Sequence, residues 1–547
     1  MRSFFTTLLN FCLVALFRRL LIAIVMANFT LIFFLSTNVA SAESISVKQF
    51  IAKASFQNDY VFQFYKNRNY KLFWLGNTGD NSARLNAFTF ALTDAPMHGL
   101  PSSKFSSKSL LSEISNVNSN EELGYLDVKL TLVFVKYASV MVNGILKPKK
   151  IDKKIERANS FNENFDFLSE LQQSDPFGFF KNLFPPSPEY KRLMKEKHRL
   201  EKLLASGGWG PLVTANKLLV GEQGGDVVLL RNRLISMGYL SSTHSSFYDQ
   251  PLVKAVKDFQ SDNGISSDGS ANQSTLNLIN VSVEERLKSV LVAMERERWS
   301  RTPQNNRHVV VNLTDFTAKI VDSGTVTFET KAIIGFDDLN RRSPEFSDIL
   351  EFMVVNPSWY VPRSIAVQEY LPMLKVNSNA VSFLELRDNN GNIIQPGEVD
   401  FSSFDQETFP YSMRQPPGES NALGLVKFMF PNKNNIYLHD TPSKSLFELD
   451  VRAFSHGCIR LSDPFGFAYA LLAVQSDDPI SLFHFALGAN KEVKIELKKP
   501  IPIHLIYRTA ITKAGGGLQF RKDIYGRDAK IWDALRAEGV VLGSVTG

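Results

Sequence analysis

Tyr437–Asp463 reads Y-L-H-D-T-P-S-K-S-L-F-E-L-D-V-R-A-F-S-H-G-C-I-R-L-S-D, and the thiol in it decides how the chain is read. The sequence has two cysteines. The other, Cys12, lies in an N-terminal apolar segment that reads as export machinery and is expected to be removed. Cys458 is then the only thiol of the mature chain. Exported proteins ordinarily pair their cysteines, so a solitary one is a small hydrophobe, a metal ligand or a nucleophile.

The flanking residues favour the nucleophile. The reactive species is the thiolate, and a thiol of pKa about 8.5 is only slightly ionised at neutral pH. An imidazole must take the proton, and a third group must hold that imidazole in one tautomer. His439 fits as the base, with Asp440 or a backbone carbonyl near it as the orienter. Gly457 lets the backbone approach a substrate closely, so the amides of Gly457 and Cys458 are candidate donors to an oxyanion. His456 either tunes the thiol or hydrogen-bonds to hold the turn, and the structural role is the favoured one. A zinc site from His439, His456 and Cys458 is the competing chemistry. The usual C-x(2–4)-C or H-x(3–5)-H pairs are missing, so no metal and no cofactor is expected.

Ile436-Tyr-Leu-His-Asp-Thr-Pro442 followed by Ser455-His-Gly-Cys-Ile-Arg460 resembles the signature of the L,D-transpeptidases. The match falls on His439, His456, Gly457, Cys458 and Arg460. The resemblance implies His439 as the proton donor and acceptor, Cys458 as the nucleophile, Gly457 and the Tyr437 hydroxyl at the oxyanion, and Arg460 at the substrate. Arg460 either positions a stem carboxylate or pairs with Asp463. Arg342-Ser-Pro344 and Asn356-Pro-Ser-Trp-Tyr-Val-Pro362 also match the family's catalytic domain, and Trp359 is taken from the second as a substrate contact.

The rest of the chain reads as several domains of a multidomain α+β protein, as 547 residues suggest. It is 44% hydrophobic and 21% charged, an ordinary globular balance. A net charge of +6 over this length gives no case for nucleic acid and suits an anionic envelope polymer. Residues 1–42 hold two apolar runs around Arg18-Arg19 and end in Ala40-Ser41-Ala42, a signal peptide with cleavage before Glu43 or, alternatively, an anchor. Residues 43–215 read as a mostly helical scaffold domain, with an aromatic cluster from Phe62 to Trp74 as core and a charged helix ended by Gly207-Gly208.

Residues 218–281 read as three helices. Gly225-Asp226 opens one carrying Val227, Leu230 and Leu234, Tyr248-Asp249 opens the next, and Asp268-Gly269 is a turn. This stretch resembles a peptidoglycan-binding domain. Residues 282–306 read as a charged linker helix. From His308 the period becomes two, giving a β-rich catalytic domain over 307–485, with a lid insert at about 365–420 where that period lapses. A C-terminal segment, 486–547, resembles the last strands of the large members of the family.

The resemblance thus implies a periplasmic or cell-envelope enzyme acting on peptidoglycan stem peptides and glycan strands, with roles in cell-wall biogenesis and cell shape. It would form 3→3 cross-links through a thioester, be acylated by carbapenems and work beside other cell-wall synthesis proteins. A stem-peptide hydrolase and an inactive binding scaffold are the alternatives.

Overall fold

The computed structural model describes residues 45–156, 166–300 and 306–543. The expected signal peptide or anchor lies outside them. Among the described residues no helix is long and apolar enough to cross a membrane. The chain divides into two compact units, and the first comprises residues 45–92, 106–136 and 167–180 of the described chain.

The first unit is helical and organised by one buried carboxylate. Asp127 accepts the amides of Phe73, Trp74 and Leu75 at 2.9 Å each and the Tyr65 hydroxyl at 2.7 Å. Burial raises its pKa, and these bonds pull the other way. A buried carboxylate persists only with such partners. They pin the segment that carries Phe73 and Trp74, both buried with Phe64 and Tyr65. The cluster Phe62–Trp74 is thus core at these positions, while Phe62 and Tyr70 stay half-buried.

The second unit opens differently from expectation. Residues 43–215 do not form one body. The helix Pro188–Ala205 belongs here, with Tyr190, Leu193 and Leu200 in one apolar cluster with Val283, Leu287 and Ile531. The helix Val283–Trp299 is not a solvated linker either. Its last turns carry Glu295, Arg296, Glu297 and Arg298, all buried. Each charge has a partner. Arg296 meets Glu345 at 2.7 Å and Asp528 at 2.8 Å, Arg298 meets Glu295 at 2.7 Å, and Glu297 accepts from Ser187 at 2.7 Å. A charge run reads as a solvated face, but buried charges are stable when paired and hydrogen-bonded.

The three-helix module has the anticipated layout, with helices Gly225–Met237, Gln250–Asp262 and Gln273–Ile279. Asp249 caps the second helix through the Leu252 amide, and Val227, Leu230, Leu234, Val256 and Phe259 fill the core. Gln260 is fully buried. Its amide nitrogen donates to Asp268 and Ser270, and its oxygen accepts the Gly269 amide, so it fixes the Asp268-Gly269 turn.

The remaining strands are β1 (His308–Asn312), β2 (Thr317–Asp322), β3 (Thr325–Gly335), β4 (Phe346–Val355), β5 (Trp359–Tyr360), β6 (Glu385–Arg387), β7 (Ile393–Ile394), β8 (Ser412–Gln415), β9 (Val426–Met429), β10 (Leu438–His439), β11 (Ala453–Ser455), β12 (Ile459–Leu461), β13 (Val493–Ile506), β14 (Ala510–Thr512) and β15 (Leu518–Phe520). Nine of them form a sheet in the order β11-β3-β12-β10-β9-β4-β13-β1-β2, and β2 also pairs with β3, so the sheet closes on itself. β13 sits between β4 and β1. A catalytic domain ending at 485 would therefore lack a central strand, and the boundary moves into the segment that was set apart.

The insert also departs from expectation. It is not devoid of strands: β5, β8, β6 and β7 form a separate four-stranded sheet over a core that includes Leu371, Leu386, Phe401 and Met413. Strands of two to four residues are too short to show an alternation.

The buried ion cluster supplies a stability test. Glu345 serves both Arg296 (2.7 Å) and Arg527 (3.1 Å). Glu345→Ala leaves both guanidiniums short of a partner and should cost about 3–5 kcal/mol in urea unfolding. A loss below about 0.5 kcal/mol, the surface-substitution range, would mean the cluster is solvated after all.

Candidate active site

β10 and β12 run parallel with Leu438 opposite Ile459 and His439 opposite Arg460. The Ile459 amide donates to the Tyr437 carbonyl at 3.1 Å, which carries the register back to Tyr437 and Cys458. Side chains two apart on a strand share a face. Tyr437, His439, Cys458 and Arg460 are thereby gathered on one face from segments distant in sequence.

His439 is buried, and its Nδ1 lies 2.5 Å from the carbonyl oxygen of Asp440. A carbonyl only accepts, so Nδ1 carries the hydrogen and Nε2 the free lone pair. The orienter is the backbone of Asp440. Its carboxylate is engaged elsewhere, accepting from the amides of Leu425 and Thr441 at 2.9 and 2.7 Å and from Lys444 at 2.6 Å. Gly424 makes room for it: φ is +59°, and a Cβ there would stand 2.3 Å from the carboxylate.

Cys458 is half-buried and its sulfur donates to the Asn435 carbonyl at 3.6 Å. Burial pushes the thiol up to about 11, opposed by the amide and hydroxyl of Tyr437 and the charge of Arg460. Burial, and then Arg460, pull His439 down to about 3. Both groups are therefore neutral at rest. Arg460 has a buried Nε without a hydrogen-bond partner among the described residues. Asp463 does not pair with it among the described residues; its carboxylate caps the helix Pro464–Leu472 through the Gly466 amide at 2.8 Å.

The turn before Cys458 is built from residues that sequence reasoning did not single out. Ser455 Oγ accepts the Gly457 amide at 3.1 Å and donates to the Cys458 carbonyl at 2.5 Å. The expected oxyanion donor at Gly457 is thus engaged inside the turn, whereas the Cys458 amide has no hydrogen bond among the described residues. Gly457 itself has φ +118°, a region that favours glycine, and Ser343 donates to its carbonyl at 2.6 Å. His456 does not hold this turn. Its Nε2 lies 2.5 Å from Glu369 of the insert. Trp359 is 8% exposed and packs within the insert's apolar core. Ser455 was visible in the motif, but nothing in the sequence brings Glu369 to His456.

Residues 306–495 match the family model "L,D-transpeptidase catalytic domain". Over these residues the chain is similar to the L,D-transpeptidase catalytic domain. Residues 59–196 match "Scaffold domain" and residues 223–279 match "Putative peptidoglycan binding domain". A Haemophilus influenzae protein named "Putative L,D-transpeptidase" is 31% identical over 253 residues, 45% of this chain and 50% of that protein. The chain thus matches half the length of this curated relative. Among solved structures, an L,D-transpeptidase from Xylanimonas cellulosilytica (residues 123–326) aligns at 13% identity and TM-score 0.16, over 54% of this chain and 99% of that one. A Clostridium acetobutylicum fused Zn-dependent amidase/peptidase/peptidoglycan-binding domain-containing protein aligns at 13% and 0.14, over 53% and 98%. Both structural likenesses are too weak to bear on the fold.

The β-rich domain should show its neutral resting pair in two ways. Iodoacetamide alkylation of Cys458 should keep rising with pH up to about 11. A plateau near neutral pH would mark a preformed thiolate instead. On the acid side, an unfolded chain protonates His439 near 6.5 while the folded one resists to about 3. Its contribution to stability is thus complete above 6.5 and lost as pH falls, which urea midpoints down the pH scale will register.

Proposed function

We propose that the protein is a peptidoglycan L,D-transpeptidase forming 3→3 cross-links in the cell envelope. The observation that supports it best is the parallel register of β10 and β12, which puts Cys458, His439, Tyr437 and Arg460 on one face of a domain matching that family. Cys458 Sγ attacks the carbonyl of the third stem residue, a diamino acid. As the S–C bond forms, the thiol proton passes to His439 Nε2. The bond to D-alanine breaks and His439 gives that proton to the leaving amine. The thioester is then attacked by a side-chain amine of a second stem, whose proton goes to His439 as the amide forms and the thiol is restored.

Because both groups rest neutral, proton transfer accompanies attack rather than preceding it. Arg460 favours the negative sulfur and disfavours a standing imidazolium. The Cys458 amide and the Tyr437 hydroxyl serve the oxyanion, and Arg460 holds a stem carboxylate. His456, bonded to Glu369, ties the motif to the insert, which keeps water from the thioester. The matches to scaffold and peptidoglycan-binding domains support wall polymer as the partner and the periplasm as the location.

Purified protein incubated with disaccharide-tetrapeptide should yield cross-linked dimer by mass. Tripeptide alone would mean a hydrolase, and no change a binding scaffold. Cys458→Ala should keep its fold and make no product, His439→Ala should lose about 10²–10⁴-fold, and Tyr437→Phe about 10²–10³-fold. Asp440→Asn keeps the orienting carbonyl and should lose far less than His439→Ala. A carbapenem should add one adduct mass, mapped to Cys458. An adduct persisting in Cys458→Ala would overturn the assignment.

A further inference from the structure

A cavity of about 660 Å³ lies in the second unit, away from the catalytic stretch. Its walls come from the three-helix module at Gly238-Tyr239 and Phe259–Asn263, the helix Pro188–Ala205, and the β14–β15 hairpin with Gly515–Gly517. Trp209, Tyr239, Phe259 and Phe520 supply aromatic surface. The acidic groups lining it are already claimed. Asp262 takes Lys513 at 2.6 Å and the Tyr239 hydroxyl at 3.0 Å, Glu196 takes Arg199 at 2.7 Å, and Asp258 takes Lys254 at 2.5 Å.

Two donors in the same walls lack an anion. Arg286 donates to the neutral oxygens of Asn263 and Leu278 at 2.9 and 3.1 Å and lies 4.1 Å over the Phe520 ring, with no ion pair among the described residues. Burial pulls its pKa down to about 10. Trp209 is 7% exposed, and its indole Nε1, enclosed by the protein, has no hydrogen-bond partner among the described residues. A half-buried guanidinium without a carboxylate is costly on its own. An incoming carboxylate would relieve the cost at Arg286.

We propose that this cavity binds a carboxylate-bearing fragment of the wall polymer, its acid on Arg286 and its apolar face on Trp209 and the surrounding rings. The proposal rests on the peptidoglycan reading above for its source of ligand. Two groups of that polymer supply the required acid, the free carboxylates of the stem peptide and, on sugars that carry no stem, the lactyl carboxylate. Bound there, the polymer would be gripped jointly by the three-helix module and the catalytic half, so that a strand is held while Cys458 works on its stem.

The test uses the full mature chain labelled with ¹⁵N-tryptophan and titrated with disaccharide-tripeptide, which is not an acyl donor. The Trp209 indole resonance, assigned by its loss in Trp209→Phe, should move on binding. Calorimetric affinity should fall roughly ten- to hundredfold in Arg286→Gln, the range of a charged hydrogen bond. Esterifying the probe's carboxylates should abolish the shift. Free tripeptide and peptide-free disaccharide then tell the stem acid from the lactyl acid, and either one reproducing the shift supports the site. An unmoved Trp209 resonance, or equal affinity for acid and ester, overturns it. If Arg286→Gln does not fold, Arg286→Lys, which keeps the charge and loses the planar fork, must weaken binding or the proposal fails. Dimer formation from tetrapeptide is scored separately on the same wild-type protein. Cross-linking without the shift sinks the cavity alone, and the shift without cross-linking sinks the transferase reading alone.

Discussion

Two residue pairs of parallel sheet, Leu438 with Ile459 and His439 with Arg460, hold the candidate site together. So short a ladder has little strength of its own. Its register is secured from both sides: β9 pairs β10 through Phe428 opposite Leu438, and β3 pairs β12 through Ile333 opposite Arg460. A slip by one residue would turn His439 or Cys458 to the opposite face. Fully buried Leu438, Ile459 and Leu461 oppose that slip, because it would exchange apolar side chains for an arginine and a histidine in the core.

Burial sets the electrostatics as much as geometry does. The same core that fixes the strands withholds water from thiol and imidazole, raising one pKa and lowering the other. Arg460 is the one charge among these four side chains and bears on both neighbours. Both groups are thereby held neutral, unlike a standing ion pair.

Much of this was legible in the sequence where chemistry is local. The S-H-G-C run, the caps and core positions of the three-helix module, and the β period from His308 onward each lie within a few residues. What escaped was set by long-range pairing. Glu295, Arg296, Glu297 and Arg298 look like a solvated face, and only the folded chain brings Glu345, Asp528 and Ser187 to them. Glu369 meets His456 across 87 positions. The sequence left open whether Asp440 itself or a backbone carbonyl near it meets His439, and in the fold it is the Asp440 carbonyl that lies on Nδ1. Gly457 was read as an oxyanion donor, and its amide is spent on a serine two residues earlier.

The place of β13 has a consequence for how the chain matures. A ribosome delivers β1 to β4 early and β13 nearly two hundred residues after β1, yet β13 is the strand that lies between β4 and β1. Until residue 506 emerges, the growing polypeptide holds two sheet margins with unsatisfied amides and carbonyls, the kind of edge that recruits other chains. The thiol is synthesised before its scaffold can close. Whatever escorts the unfolded chain must shield those margins until β13 inserts between β4 and β1.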